Sequence, residues 1–250
     1  MYFRVGFATD IGRKRKINQD NGGAYPEIGF FVVADGMGGH QGGETASAIV
    51  IETMGPMIRK GIESSTVSPP ELLDKAIRTA NRAIFEKAQS DPNLKGMGTT
   101  TTAGLFFDNI LTIGHVGDSR LYCIENQQIW QLTKDHSLVQ EKFQAGLISR
   151  EQLKTDQMKN IITRSVGFEP EVEVELYRMK VHSGQSFLFC SDGLTGLLED
   201  DQISQIVSDN LKSTTNVKKA VKHLVNAANS AGGDDNITTI LVELLESQPE

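Results

Sequence analysis

Hydrophobic positions along the chain alternate between short, strand-like runs and stripes with helical spacing. Phe30 to Ala34 is an unbroken apolar run that predicts a buried strand, and it leads directly into the Gly-rich segment Asp35 to Gly43. Glu44 to Met54 then has helical spacing. Ser68-Pro-Pro-Glu71 combines a capping box with proline at the first helical positions. The stripe that follows (Leu72, Leu73, Ala76, Ile77, Ala80, Ile84 and Phe85) predicts a helix to about Ser90, stopped by Asp91-Pro92. Between Thr99 and Leu132 the pattern becomes a meander of short strands, broken at Asp108-Asn109, Gly117-Asp118 and Glu125-Asn126. Ser137 to Asn160 is polar and weakly helical, an excursion from the sheet. Strands resume at Glu171 to Val181 and at Ser186 to Cys190. Helices follow at about Asp200 to Asp209 and Asn216 to Ala231, Gly232-Gly233 caps the second, and Ile237 to Leu245 closes the chain as a strand. Strands and helices interleave without a linker or a fixed-period repeat, so residues 1–245 are expected to form a single domain with a short tail at 246–250.

Composition narrows the function more than the fold. The 250 residues carry 25 Lys+Arg against 32 Asp+Glu, a net charge of −7 that argues against nucleic acid as a partner. At 38% hydrophobic residues, with no long run of like charge, this is a folding chain. Cys123 and Cys190 are too few for a disulfide scaffold and lack the CxxC spacing of zinc or redox sites, which points to a reducing compartment. The longest apolar run is far too short to span a membrane, and a cytoplasmic location is expected.

The chemistry lies in where the aspartates fall. Asp35 ends one apolar run and Asp192 another, each followed by glycine; Asp118 follows Leu111 to Val116, Asp235 precedes the last strand, and Asp20 follows Asn18-Gln19. A single Asp-Gly pair is more often a hairpin turn than a site, so the combination carries the argument. A carboxylate at a strand end is held by a rigid frame yet stays accessible, and a neighbouring glycine lets a backbone carbonyl approach the same point. Hard oxygen donors without clustered His or Cys favour Mg²⁺ or Mn²⁺.

These motifs resemble those of the type 2C metal-dependent Ser/Thr protein phosphatases, in particular their short bacterial branch. The resemblance runs from Gly6 to Val242. It rests on Gly12-x-x-Arg15-x-x-Asn18-Gln19-Asp20, on Val33-Ala-Asp-Gly-Met-Gly-Gly-His40 with Gly43-Glu44-x-Ala46-Ser47, and on Gly98-Thr99-Thr100. Gly117-Asp-Ser-Arg120, Leu132-Thr-Lys-Asp-His-Ser137, Ser191-Asp-Gly-Leu194 and Gly233-x-Asp235-Asn236 complete it. It implies an α+β fold, an αββα sandwich of two antiparallel sheets flanked by helices, with a flap at about 137–160. It implies hydrolysis of phosphoserine and phosphothreonine by a water bridging two Mn²⁺ or Mg²⁺ ions. Asp35 would bridge the ions, the Gly36 carbonyl would complete one site, Asp192 and Asp235 would hold the other ion, and Asp20 would act mainly through water. Asp118, with Asp192, matches the acids that hold a third ion in bacterial members. Arg15 would bind the phosphate and His40 would protonate the leaving group. The implied partners are phosphoproteins and a cognate bacterial Ser/Thr kinase, with no nucleic acid and no membrane, for a protein expected to be a monomer.

Other readings fare worse. Gly36-x-Gly38 is followed by Gln41 where a dinucleotide fingerprint requires glycine, and no GxxxxGK[ST] occurs. Neither cysteine has an arginine six positions later, against a cysteine phosphatase. A regulator that binds phosphoproteins without cleaving them would have lost some of the metal acids, and an enzyme of the same fold acting on small phosphoesters is the closer alternative.

Overall fold

Residues 30–34 are apolar at every position because their strand is covered on both faces, as expected of a strand in the middle of a layered fold. The computed structural model describes residues 1–38, 42–65, 67–214 and 216–246. In chain order it forms β1 (Tyr2–Asp10), β2 (Asp20–Tyr25), β3 (Phe30–Met37), α1 (Gly42–Ser64), α2 (Pro69–Ser90), β4 (Gly98–Thr99), β5 (Thr101–Phe107) and β6 (Ile110–Val116). There follow β7 (Arg120–Glu125), β8 (Gln128–Gln131), α3 (Leu138–Gln144), α4 (Gln152–Thr155), β9 (Glu175–Lys180) and β10 (Ser186–Cys190). The chain ends in α5 (Asp192–Thr195), α6 (Asp200–Thr214), α7 (Val217–Ser230) and β11 (Ile237–Leu245). One antiparallel sheet has the order β1-β11-β10-β7-β8, the other β2-β3-β5-β6-β9, with β4 paired to β3 beside it.

The strand period of two sorts side chains into three apolar layers. Phe30, Val32 and Ala34 pack under α1 and α2, and Leu188, Cys190, Ile237 and Leu241 pack under α6 and α7. Phe31, Val33, Phe187, Phe189, Ile240 and Val242 fill the space between the sheets, where Phe106 meets Phe187 edge-on at 5.3 Å. This is the αββα sandwich. Each buried aromatic there contributes roughly 1.5 to 3 kcal/mol of transfer free energy.

Local signals mostly hold. Glu71 accepts hydrogen bonds from both the backbone N–H and the hydroxyl of Ser68, so α2 starts where its capping box predicts. The helix predicted over 44–54 runs on through Pro56 to Ser64. The strand predicted over 171–181 is confined to β9, because the chain before it is committed to α2: Arg78 donates to the Val172 carbonyl and Asn81 to those of Glu169 and Pro170. The excursion at 137–160 leaves and rejoins the sandwich at one point, closed by a Ser137–Ile162 bridge and a hydrogen bond from Leu138 N–H to the Ile161 carbonyl. No helix among the described residues is long and apolar enough to cross a membrane.

Candidate metal centre

The alternation that builds the inter-sheet layer also delivers the acids to its end. On β3, Asp35 continues the face of Phe31 and Val33, and its direct cross-strand partner on β2 is Asp20. Two carboxylates opposite each other destabilise a ladder by themselves. From the other sheet, Ser191 continues the face of Phe187 and Phe189; its hydroxyl donates to Asp20 Oδ2 at 2.7 Å and accepts from Thr238 N–H at 2.9 Å. Asp118 comes from the turn by which the chain crosses from β6 in one sheet to β7 in the other. Asp192 opens α5 directly after β10, and Asp235 lies just before β11.

Backbone contacts bring these segments together. Gly36 N–H donates to the Gln19 carbonyl at 3.1 Å, and a Cβ on Gly36 would stand 2.0 Å from the Gly43 carbonyl oxygen, so only glycine lets the end of β3 lie against the start of α1. A Cβ on Gly193 would be 1.9 Å from the Asn236 carbonyl oxygen, which is how the Asp192 and Asp235 segments meet. Thr100 holds the Asp35 backbone on both sides of its Cα: its hydroxyl accepts from Asp35 N–H at 2.9 Å and its N–H donates to the Asp35 carbonyl at 2.8 Å.

Arg15 reaches the centre from the β1–β2 loop, with Nη2 2.5 Å from Asp235 Oδ2 and its side chain half exposed. Asn236 fixes that loop: its amide donates to the carbonyls of Ile11 and Ile17, and its Oδ1 accepts from Gln19 N–H. Sequence reasoning quoted Asn236 within a motif but gave it no role; the signal available was an amide directly after a candidate ligand. Ser191 had no role either, and Ser47, which the sequence places at the helix start or in the packing of the loop, donates to the Gln19 carbonyl at 2.6 Å. His40 lies outside the described residues.

Burial, and then their mutual repulsion, set the protonation of these acids. Asp20 is pushed up to about 7 by burial, against the hydroxyl hydrogen bonds that lower it, with Asp192 and Asp235 adding repulsion. Asp35 is held well above the usual carboxylate range by burial, then by Asp20, Asp192, Asp118 and Asp235. Asp118 is also held well above it, by burial and Asp192, although Arg120 opposes the shift. Asp192 is raised by burial and Asp235, against a hydrogen bond with Asp35 and the nearby Arg15 and Arg120. Asp35 and Asp192 keep part of their surface open to solvent, so they face the mouth of the site while the body of the sandwich stands behind them.

These residues fit divalent cations. Oδ1 of Asp20, of Asp118 and of Asp192 is buried with no hydrogen-bond partner among the described residues. Unpaired carboxylate oxygens in such a place are costly unless positive charge compensates them. No three His, Cys, Asp or Glu side chains among the described residues close into a cage for a single ion. Mg²⁺ and Mn²⁺ suit this open arrangement, since Mg²⁺ keeps several waters and takes only one or two carboxylates from a site. Beside Asp118 and Asp192 a cavity of about 640 Å³ extends beneath the 137–160 excursion, walled by Val139, Phe143, Leu153 and Leu197 and rimmed by Arg150 and Lys159. A second depression of about 520 Å³, on α1 around Pro56, has none of these acids in its walls.

The family model described as "Protein phosphatase 2C" matches residues 12–245. The chain is 38% identical over 241 residues to "Serine/threonine phosphatase stp" of Listeria monocytogenes, covering 95% of this chain and 94% of that protein. It is 34% identical over 250 residues to "Protein phosphatase PhpP" of Streptococcus pneumoniae, covering 98% and 99%. Among solved structures, the Mycobacterium tuberculosis serine/threonine phosphatase PstP/Ppp superposes with a TM-score of 0.90 at 32% identity, covering 98% of this chain and 100% of that one. The PstP catalytic domain in complex with two manganese ions superposes with a TM-score of 0.86 at 32% identity, covering 98% and 99%.

Proposed function

We propose, on the premise that the chain belongs to the protein phosphatase 2C family, that it hydrolyses phosphoserine and phosphothreonine in proteins with Mn²⁺ or Mg²⁺ as cofactor. One observation carries the reading: acids from both sheets converge with Arg15 at one end of the sandwich, and three of their buried oxygens have no partner among the described residues. Asp35, the Gly36 carbonyl, Asp192 and Asp235 would hold two ions, Asp20 would act through water, and Asp118 with Asp192 would hold a third. Bound there, the ions would offset charge on the phosphoryl oxygens and make water nucleophilic near neutral pH.

The chain's own groups do the rest. Arg15 spends one N–H on Asp235 and turns the remainder of a half-exposed guanidinium toward solvent, where a planar fork can take a phosphate. His40, placed by sequence a few residues after Asp35 and Gly36, is assigned to protonate the departing serine or threonine oxygen. Ser191 keeps Asp20 oriented across the gap between the sheets. The cavity beneath the 137–160 flap is where we place the substrate chain flanking the phosphorylated residue, since it opens beside Asp118 and Asp192.

The bacterial relatives, and two buried cysteines that are free, support a protein working in the bacterial cytoplasm. We assign it there as a monomer opposing a Ser/Thr kinase. Phosphate release from a phosphothreonine peptide, measured with Mn²⁺, after EDTA treatment and after Mn²⁺ is restored, tests the function. Hydrolysis should vanish with EDTA and return with the metal; a metal-loaded protein that binds the peptide without cleaving it would instead be a regulator.

A further inference from the structure

His136 bonds the Gly117-Asp118 turn through both its backbone and its ring, yet the proposed reaction does not use it. It is buried at the base of the flap. Its N–H donates to the Gly117 carbonyl at 2.8 Å, and its carbonyl accepts from Thr163 N–H at 2.9 Å, where the chain returns from the flap. Its ring closes a second bond on the same turn, with Gly117 N–H donating to Nδ1 at 3.1 Å. A backbone N–H aimed at Nδ1 needs a lone pair there, so the ring is neutral and its proton sits on Nε2. Nε2 lies 3.3 Å from Glu175 Oε1 without the alignment of a hydrogen bond. Beneath it the His115 ring packs with centroids 4.8 Å apart, and His115 Nε2 faces the Lys134 carbonyl at 3.0 Å, tying down the segment that carries His136. Asp135, in that segment, grips Arg120 through both of its oxygens on the far side of the turn.

The turn clamped in this way is Gly117-Asp118. We infer that His136 is a positioning residue for Asp118: by accepting Gly117 N–H at its ring and donating its own N–H to the Gly117 carbonyl, it holds the two peptide units on either side of Gly117, and with them the backbone that aims the Asp118 carboxylate at the metal centre. The inference rests on the assignment of Asp118 to a divalent ion in the proposed function. It separates two substitutions of similar size. In His136→Asn the side-chain oxygen falls near the place of Nδ1 and can still accept from Gly117, whereas in His136→Gln the acceptor falls near the place of Nε2 and cannot.

The test uses the full chain, stripped of metal and titrated with Mn²⁺ by calorimetry, with the Mn²⁺ dependence of phosphothreonine-peptide hydrolysis measured in parallel. Loss of a group that orients a ligand weakens metal binding by about 10- to 100-fold. His136→Gln is expected to weaken the class of Mn²⁺ sites that Asp118→Ala removes by at least about 10-fold, and His136→Asn by less than about 3-fold. Combined with Asp118→Ala, His136→Gln should cause no further loss, because both act on one site. Equal losses in the Asn and Gln variants, or a Gln effect that adds in full to that of Asp118→Ala, would overturn the inference. If His136→Gln fails to fold, His136→Asn decides alone: a tenfold loss of Mn²⁺ affinity in that variant refutes it. The calorimetric arm reads these outcomes even if wild-type protein cleaves no peptide, a result that would count against the proposed function and not against the role of His136.

Discussion

Two regimes meet within five residues of β3. Phe31 and Val33 sit between the sheets in an apolar layer with Phe106, Phe187, Phe189 and Ile240, where burial is itself stabilising. Two residues further along the same face, Asp35 is opposed by Asp20 and repelled by Asp118, Asp192 and Asp235. The first region needs nothing from outside the chain. The second holds carboxylates together at a cost that the rest of the fold must cover and that bound cations would relieve. The difference shows that the strand's rigidity comes from its apolar half and is used by its acidic half.

Enlarging a hole in the apolar half should have the largest effect on stability. Phe189→Ala, which empties a fully buried position packed 6.2 Å from Phe31, is expected to lower unfolding free energy by about 3 to 5 kcal/mol in urea denaturation. The folded fraction should keep its Mn²⁺ dependence, and a large shift in that dependence would show that the two halves cannot be separated. Asp35→Asn and Asp192→Asn should act in the opposite sense. Turnover of a phosphothreonine peptide should fall by about 10² to 10³, the scale on which one preorganised charge-stabilising group acts. The metal-free melting temperature should hold or rise, because a repelled charge is gone. Normal turnover by either variant at saturating Mn²⁺ would remove the metal assignment.

Arg15→Ala is expected to raise KM for the peptide more than it lowers kcat, by about 1.5 to 3 kcal/mol, as for loss of a charge-assisted hydrogen-bond pair. An unchanged KM would leave Arg15 as nothing more than the ion-pair partner of Asp235. The smallest effect is one of pH. Burial raises Asp20 from 3.8 to about 7 in the folded protein, so its contribution to stability is complete below pH 3.8 and is lost as the pH rises through about 7. EDTA-treated protein should therefore melt at a lower temperature at pH 8 than at pH 5.5, and added Mn²⁺ should raise the melting temperature more at pH 8. A metal-free melting temperature that climbs toward pH 8 would contradict the repulsive picture of the acidic half.

Much of this was legible in the chain. The strands at 186–190 and 237–245 were read to the residue, because apolar runs covered on both faces leave little choice of state. Asp20, Asp35, Asp118, Asp192 and Asp235 were singled out by their places at strand ends, and the structure gathers all five. Other features were hidden for physical reasons. β2, with the sequence Asp-Asn-Gly-Gly-Ala-Tyr, has almost no strand propensity and forms because β3 offers it a ladder. Residues 171–174 alternate as a strand should, but α2 takes the Val172 carbonyl through Arg78.

The sequence by itself determined the layers, since the period of apolar residues along a strand decides which faces are covered, and it determined the chemical type of the site, since the candidate ligand side chains it places at strand ends are all carboxylates. The tertiary structure decided which acids face one another. Asp20 meets Asp35 through the β2–β3 register, Ser191 reaches Asp20 from the opposite sheet, and Gly117 is held by a histidine 19 residues away in the chain. These are long-range pairings, set by sheet stacking and by hydrogen bonds that close only once both sheets are in place, and no local pattern of residues encodes them.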